Sequence, residues 1–386
     1  MKSKMRDDLR KKNEALRGDI TAIVRLSADA KIVPELEPYR SALLKNCADL
    51  LSKIEKNLLD LSLNQNDLLP DILSETSTLI QWARFFKYRF VRPLNRASDW
   101  DRVCLRTISW LHGQHSDTKR FPAVFADDDI SISPSTALIP FYFFPCIEQR
   151  TLLFQPLLFH EFGHLLYLCH KRELDELVGE FQQVVEGELL PASQRNDQHS
   201  LLQMKTRQSV VEVWYSWIQE FFCDAVGLVI GGPCFLNAFA AYMAKYQVGD
   251  YYRQPANLHG SSHPLSWLRI QRLAERAIQR GFQSTAARVV EEWRGIARLL
   301  GVVEDYHGFY IESLGPSLMN TLDDMLTEVA PRECTADEAG SDVTRIDPQS
   351  LVGLLNDAWR EYHRNPAEFL TWENGMLKDR YDLRAT

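Results

Sequence analysis

The sequence contains no closely spaced pair of cysteines, the pattern that structural zinc sites and redox-active disulfides use. Its seven cysteines are an odd number among 386 residues, and most of them stand between apolar residues. Secreted domains pair their cysteines in disulfides, whereas cytosolic proteins keep their thiols reduced. Residues 1–12 are polar and lack the apolar stretch of a secretory signal peptide. These features predict a cytoplasmic protein with free, buried thiols.

A surplus of positive charge is also missing. The chain has 44 basic and 52 acidic side chains, a formal net charge of −8 and a pI near 5.7. Proteins that bind nucleic acids need a cationic surface that faces the phosphates. We therefore expect no nucleic-acid partner.

No apolar run reaches the length of about twenty residues that crosses a bilayer as a helix. The two most apolar stretches are interrupted, residues 151–169 by Glu161 and two histidines, and residues 225–244 by two glycines and a proline. We predict that both are buried core helices and that the chain has no transmembrane span. Hydrophobic residues still make up 45% of the chain, which is enough for a sizeable core.

Helical periodicity dominates most of the chain. Apolar residues recur at three- and four-residue steps across residues 39–63, and a second helix is expected from about Asp71 to Phe90. Residues 98–150 differ, because short β-branched or aromatic runs alternate there with prolines; these runs are residues 121–125, 130–133 and 137–144. From residue 152 the pattern is helical again, with breaks at residues 191–200, 247–264 and 332–347 and a last helix over about 348–362.

These patterns predict an α+β fold that is predominantly helical and has a small mixed sheet. We divide the chain into a helical N-terminal region (1–97), a core that carries the chemistry (98–275) and a helical C-terminal region (276–386). The N-terminal helices are expected to form a packing layer.

The strongest chemical signal is His160-Glu161-Phe162-Gly163-His164, in an amphipathic helix that could start at Pro156. Positions i and i+4 lie on one helix face, so both imidazoles can reach one Zn²⁺ at about 2.0–2.1 Å. Glu161 is rotated by roughly 100° from His160, so it is placed to act on zinc-activated water as a general base. The alternative is a pair of core histidines, but burying three such polar groups costs desolvation energy that a metal would offset.

A third protein ligand is needed, and two of the available choices have weak support. His170 has the spacing of a metzincin ligand, but Tyr167 stands where that class needs a glycine to turn the chain. Three glutamates on the following helix lie near the spacing of thermolysin-like enzymes without a convincing motif; they are Glu180, Glu186 and Glu188.

The favoured third ligand is Glu220. It lies in a strongly apolar helix, and Asp224 follows at i+4 on the same face. A buried pair of carboxylates needs partners. We expect Glu220 to bind the metal and Asp224 to accept the Nδ1–H of a ligand histidine, which fixes the tautomer of that histidine.

Taken in order, three motifs resemble the gluzincin family of CAAX-prenyl proteases and HtpX-type heat-shock peptidases, with their soluble relatives. The motifs are His160-Glu-x-x-His164, Glu220-x-x-x-Asp224 and Ser262-His263-Pro264 followed by Arg269-Ile270, and they span about residues 150–275. The membrane helices of the best-known members are missing here. The first hundred or so residues match none of the family's motifs.

The resemblance implies a zincin-like core and a zinc-dependent metallopeptidase with one Zn²⁺ per chain. It implies that His263 lies near the active site and assists the oxyanion, and that Arg269 anchors that loop or the carboxylates. The substrate would be a peptide or protein, aligned along residues 137–144 by strand addition.

Other functions fit the same residues. The chain could be a helical interaction or scaffold protein with a vestigial or structural zinc site, although a structural site needs no Glu161. It could also be a zinc hydrolase of a non-peptide amide. A latent peptidase, covered by the N-terminal layer or by residues 247–264, would need a regulatory protein partner.

Overall fold

The computed structural model describes residues 2–63, 65–135, 139–189, 200–340, 350–381 and 383. Within these ranges the chain is predominantly helical with a small β-sheet, as the sequence predicts. The chain divides into two compact units, Met1–His112 with Arg120–Asp127, and Gly113–Lys119 with Asp128–Thr386. Most of the break predicted at residues 191–200, and part of that at 332–347, lies outside the described residues.

The first unit is built around long amphipathic helices. Its elements are α1 (Lys2–Asp29), α2 (Glu37–Ser62), α3 (Leu69–Phe85), α4 (Arg92–Asn95), α5 (Asp101–Gly113, whose last residue belongs to the second unit) and strand β1 (Phe125–Ala126). The apolar positions of α2 recur at three- and four-residue steps and are buried; they include Tyr39, Leu43, Cys47, Leu50, Ile54 and Leu61. α1 packs against α2 and α3.

The second unit carries two short strands and the remaining helices. The strands are β2 (Ser131–Ser133) and β3 (Phe141–Phe143), which pair antiparallel with Ser131 opposite Phe143. The helices are α6 (Leu157–Cys169), α7 (Lys171–Leu189), α8 (Ser200–Gly231), α9 (Pro233–Met243), α10 (Val248–Tyr251), α11 (Pro255–Leu258), α12 (Ser266–Gln279), α13 (Gln283–Leu300), α14 (Leu314–Val329), α15 (Ala336–Ala339), α16 (Leu351–Arg364) and α17 (Phe369–Tyr381).

The long helix α8 is the centre of the second unit, where α6, α7, α9, α12 and α14 all pack against it. α6 lies especially close to α8, because a Cβ added at Gly163 would come within 2.9 Å of the Cα of Cys223. α8 ends at Gly231, and Gly232 adopts a φ of +61°, a conformation that glycine adopts without strain. The two most apolar stretches of the sequence are thus buried helices, as expected. No helix in the described part of the chain is long and apolar enough to cross a membrane.

The two units do not follow the three regions drawn from the sequence. α5 belongs to the first unit rather than to the core region 98–275. The helices after residue 275 are not separate, because α13 packs against α9 and α12, and α14 packs against α7 and α8. These amphipathic helices bury their apolar faces on the elements that carry the motif, which composition alone does not reveal.

Candidate metal centre

His160, Glu161 and His164 lie on α6, which begins at Leu157 with Pro156 as its N-cap. His160 and Glu161 are buried, and the His164 side chain is 25% exposed. The two imidazole rings stand edge to face with centroids 5.0 Å apart. The i, i+4 spacing has therefore placed both rings on one helix face, one turn apart.

Glu220 of α8 reaches both rings. Its Oε2 lies 3.4 Å from Nε2 of His160, and its Oε1 lies 3.5 Å from Nε2 of His164. Two ligand atoms held about 2.0–2.1 Å from a tetrahedral zinc ion are separated by about 3.3–3.4 Å. Each Nε2 atom thus lies close to the separation of two zinc ligands from one oxygen of Glu220, with a different oxygen facing each ring.

Asp224 contacts His160, and Arg269 contacts both Asp224 and Glu220. Oδ1 of Asp224 lies 2.9 Å from Nδ1 of His160, near enough to hold the ring although the contact is not well aligned for a hydrogen bond. Arg269 donates two hydrogen bonds to Asp224, of 2.8 and 2.7 Å, and its Nη2 lies 3.1 Å from Oε2 of Glu220. Both carboxylates are buried, and this bidentate cation compensates their charge.

The charges of these groups set unusual pKa values. Burial alone would lower the pKa of His160, but Asp224 and Glu220 outweigh burial and raise it to about 10. Burial and the neighbouring His160 lower the pKa of His164 to about 4. Burial would raise the pKa of Glu220, but Arg269 and His160 hold it well below the usual value of a glutamate. The buried Glu220 carboxylate is thus ionised beside a His160 ring that holds its proton.

Glu161 stands apart from this set of ion pairs. It is buried, and burial raises the pKa of its carboxyl to about 7, with His160 opposing the shift and Glu220 adding to it. It faces a cleft of about 300 Å³ that is also lined by His160, His164 and His263. A carboxyl in this position can exchange a proton with a group bound in the cleft.

His263 lies at the rim of the cleft. Its Nε2 is 3.5 Å from Oε1 of Glu220, and its side chain is 58% exposed. The loop that carries it is anchored, because Trp217 Nε1 donates to the Ser261 carbonyl at 3.0 Å and the Ser261 hydroxyl donates to the His263 carbonyl at 2.6 Å. The imidazole is therefore presented to the cleft by a fixed backbone.

The strand beside the cleft is β2. Residues Ile130, Ser131 and Ile132 line it, whereas β3 is largely buried. The segment 137–144 expected to receive the substrate therefore does not border the cleft in its described part, and its residues 137 and 138 lie outside the described ranges. Two larger cavities of about 900 and 590 Å³ lie elsewhere in the second unit, and none of the predicted site residues lines them.

The structure adds Cys223, which the sequence analysis did not select. A ligand atom from each of His160, His164 and Cys223 can be chosen within 4.8 Å of the others. Burial, together with the nearby carboxylates, raises the pKa of this thiol well above its ordinary value. Since a metal binds the thiolate, and Glu220 is ionised whereas this thiol is held protonated, charge favours Glu220 over Cys223 as a ligand.

Gly163 is the second residue that the sequence analysis missed. A Cβ at this position would lie 2.9 Å from the Cα and 3.1 Å from the Sγ of Cys223. The glycine lets α6 approach α8 closely enough for Glu220 to reach the histidines. The position of Gly163 inside the His160–His164 motif could have drawn attention to it. The sequence does not show, however, that α8 packs against this glycine.

The other ligand candidates lie elsewhere. His170 is the C-cap of α6 and faces Asp117 and Glu328 instead of the other two histidines. The three glutamates on α7 are exposed and do not line the cleft; they are Glu180, Glu186 and Glu188. Neither a family model, nor a curated protein, nor a solved structure matches this chain.

Proposed function

We propose that the chain is a zinc-dependent metallopeptidase, an endopeptidase with a gluzincin type of ligand set in a zincin-like core. The observation that carries the proposal is that the carboxylate of Glu220 lies 3.4 and 3.5 Å from the Nε2 atoms of His160 and His164. Two imidazoles and one carboxylate are the protein ligands of many catalytic zinc sites.

A second observation also supports a zinc ion between these residues. Oε2 of Glu220 is a buried atom that receives no well-aligned hydrogen bond from the part of the chain that the structure describes, although Arg269 and His160 lie close. A buried ionised oxygen without a hydrogen bond is costly, and a cation between the donors would remove that cost. Zinc bound there would supply a Lewis acid that polarises a carbonyl group and lowers the pKa of water.

The remaining side chains take the roles that their positions allow. Glu161 faces the cleft and accepts a proton from water, then returns it to the leaving amine. His263 points its Nε2 into the same region and donates a hydrogen bond to the developing oxyanion. Asp224 orients the ring of His160, and Arg269 holds Asp224 in place.

A peptide is the substrate that suits the wall of the cleft. β2 pairs with β3 on one side, and its residues Ser131 and Ile132 line the cleft. An extended peptide can add to such a strand through backbone hydrogen bonds. We extend the proposal to a peptide or protein substrate in the reducing cytoplasm.

The matched test is Glu161→Gln against Glu180→Gln, an exposed glutamate on α7. Loss of the general base should lower the turnover of a quenched fluorescent peptide library by at least about 100-fold. Zinc content should stay at the wild-type level, because Glu161 is not a ligand.

Glu180→Gln should behave as wild type in both measurements. Equal turnover in Glu161→Gln and wild type would reject the peptidase. A scaffold protein with a structural zinc site would show that result, since it has no use for a base.

A further inference from the structure

Outside the cleft, the second unit contains another group of side chains that could bind a metal. It lies where the turn after α5, the end of α6 and the end of α14 meet. His115 and Asp117 lie in the turn after α5, and His170 follows the end of α6. A ligand atom from each of the three lies within 4.8 Å of the others. Nε2 of His170 is 3.3 Å from Oδ2 of Asp117, and Nδ1 of His115 is 3.9 Å from the same oxygen.

The second nitrogen of each imidazole faces the end of α14, and that of His115 is within hydrogen-bond distance of it. Nε2 of His115 contacts the carbonyl oxygen of Val329 at 3.0 Å, and Nδ1 of His170 lies 3.8 Å from Oε1 of Glu328. The contact of His115 is of the kind by which metal-binding histidines commonly donate their second N–H to a backbone carbonyl. Nδ1 of His115 and Nε2 of His170 are left to face Asp117.

The atoms that face each other are poorly satisfied. Nε2 of His170 is buried and makes no well-aligned hydrogen bond with any described residue, even with the carboxylate 3.3 Å away. Nδ1 of His115 receives only a long contact of 3.4 Å from the backbone N–H of Asp117. Oδ2 of Asp117 faces both rings, while its Oδ1 accepts an equally long 3.4 Å contact from the Ser116 hydroxyl. A cation among these groups would satisfy all three ligand atoms at once.

We infer that His115, Asp117 and His170 form a second site for a divalent transition-metal ion, separate from the proposed catalytic centre. Two imidazoles and one carboxylate suit Zn²⁺. His170 follows His164 by six residues, about 9 Å along a helix. Paired metals in binuclear sites lie about 3.5–4 Å apart, so the two sites act separately.

The role of this ion is structural. It joins the turn after α5 and the C-terminal end of α6, and its ligands are oriented by the end of α14. The motif helix would thereby be held at the end opposite to Leu157. Asp117 is 50% exposed, so the ion can enter from solvent.

The test is the zinc content of the purified full chain after chelator treatment and dialysis against buffered zinc. Wild type should hold two zinc ions per chain, and Asp117→Asn and His170→Gln should each hold one. Asparagine has the same shape as aspartate and Asp117 is half exposed, so Asp117→Asn should fold as the wild type does. His307→Gln is the matched control, because His307 also faces an acid, Asp305, at 3.5 Å; it should hold two.

The outcome separates this inference from the proposed function. The His164→Ala variant should keep the zinc of this second site. Added zinc should therefore raise the Tm of His164→Ala, but should leave the Tm of the His164→Ala/Asp117→Asn double variant unchanged. If wild type holds one zinc that is lost in His164→Ala and kept in His170→Gln, the second site is wrong and the catalytic site stands. If that single zinc is lost in His170→Gln and kept in His164→Ala, the second site stands and the catalytic proposal fails.

Discussion

At the scale of single residues, the choice of third ligand rests on charge. Glu220 is ionised and lies within 3.5 Å of both Nε2 atoms, whereas burial keeps the Cys223 thiol protonated. We expect Glu220→Gln to weaken zinc binding by more than about 100-fold, because replacing even a supporting residue costs 10–100-fold. Competition titration with a zinc chelator measures this.

Cys223→Ala is the matched variant on the same helix and should bind zinc nearly as wild type does. Weakened binding in Cys223→Ala with unchanged binding in Glu220→Gln would identify the thiol as the ligand.

Arg269 is expected to be structurally essential because its two partners are buried carboxylates. Arg269→Met leaves their charge uncompensated and should lower the free energy of unfolding by about 3–5 kcal/mol. The control is Arg298→Met, since the ion pair of Arg298 with Glu291 is exposed and such pairs contribute about 0–1 kcal/mol. Urea unfolding compares them, and equal losses in the two variants would refute the role of Arg269.

His112 makes a pH dependence testable in the first unit. Burial lowers its pKa to about 4, with the Phe121 carbonyl at 3.0 Å opposing the shift. An unfolded histidine titrates near 6.5, so the stability from this neutral ring is complete above about pH 6.5 and is lost as the pH falls towards 4.

We expect the wild type to lose about 2 kcal/mol more than His112→Gln between pH 7 and pH 5, as measured by urea unfolding at both values. Glutamine keeps an N–H for the Phe121 carbonyl and does not titrate. Parallel pH profiles for the two proteins would contradict the assignment.

The residue scale is also where the sequence was most informative. It identified seven residues that the structure brings together: His160, Glu161, His164, Glu220, Asp224, His263 and Arg269. Their spacing along helices determines their faces, and buried charges must meet partners. Cys223 and Gly163 were missed because their contact depends on how two helices pack, which periodicity does not specify.

At the scale of elements, the close approach of α6 to α8 is the feature on which the site depends. Gly163→Ala would place a Cβ 2.9 Å from a backbone atom of α8, which must then move. Overpacking of this kind typically costs about 1–3 kcal/mol. We also expect weaker zinc binding, since any separation of the helices withdraws Glu220 from the histidines.

Gly179→Ala is the matched control, because its added methyl group on α7 meets nothing within 4 Å. Alanine has the higher helix propensity, so this variant should gain roughly 0.5–1 kcal/mol. Thermal unfolding and zinc titration of both variants test the contrast. A Gly163→Ala protein with wild-type stability and affinity would show that the helix contact is not limiting.

The elements themselves were only partly predictable. The region 98–150, where the sequence predicts short strand-like runs between prolines, begins with the helix α5. The loop at residues 247–264 contains the short helices α10 and α11, and α17 after the predicted last helix was not anticipated. Short or weakly amphipathic segments carry little periodicity, so packing decides their structure.

At the scale of the whole molecule, the division into three regions at residues 97 and 275 stays a prediction. The two compact units exchange short segments near residues 113–127. Such an exchange depends on which helices bury each other's apolar faces over long sequence distances, and composition does not encode it.

The central claim is that His160, His164 and Glu220 bind one cation together. Diffraction from zinc-loaded crystals, collected on both sides of the zinc absorption edge, tests it most directly. We expect an anomalous peak about 2.0–2.1 Å from both Nε2 atoms and from a carboxylate oxygen of Glu220. No peak there, or one bound by the Cys223 sulfur with Glu220 turned away, would contradict it.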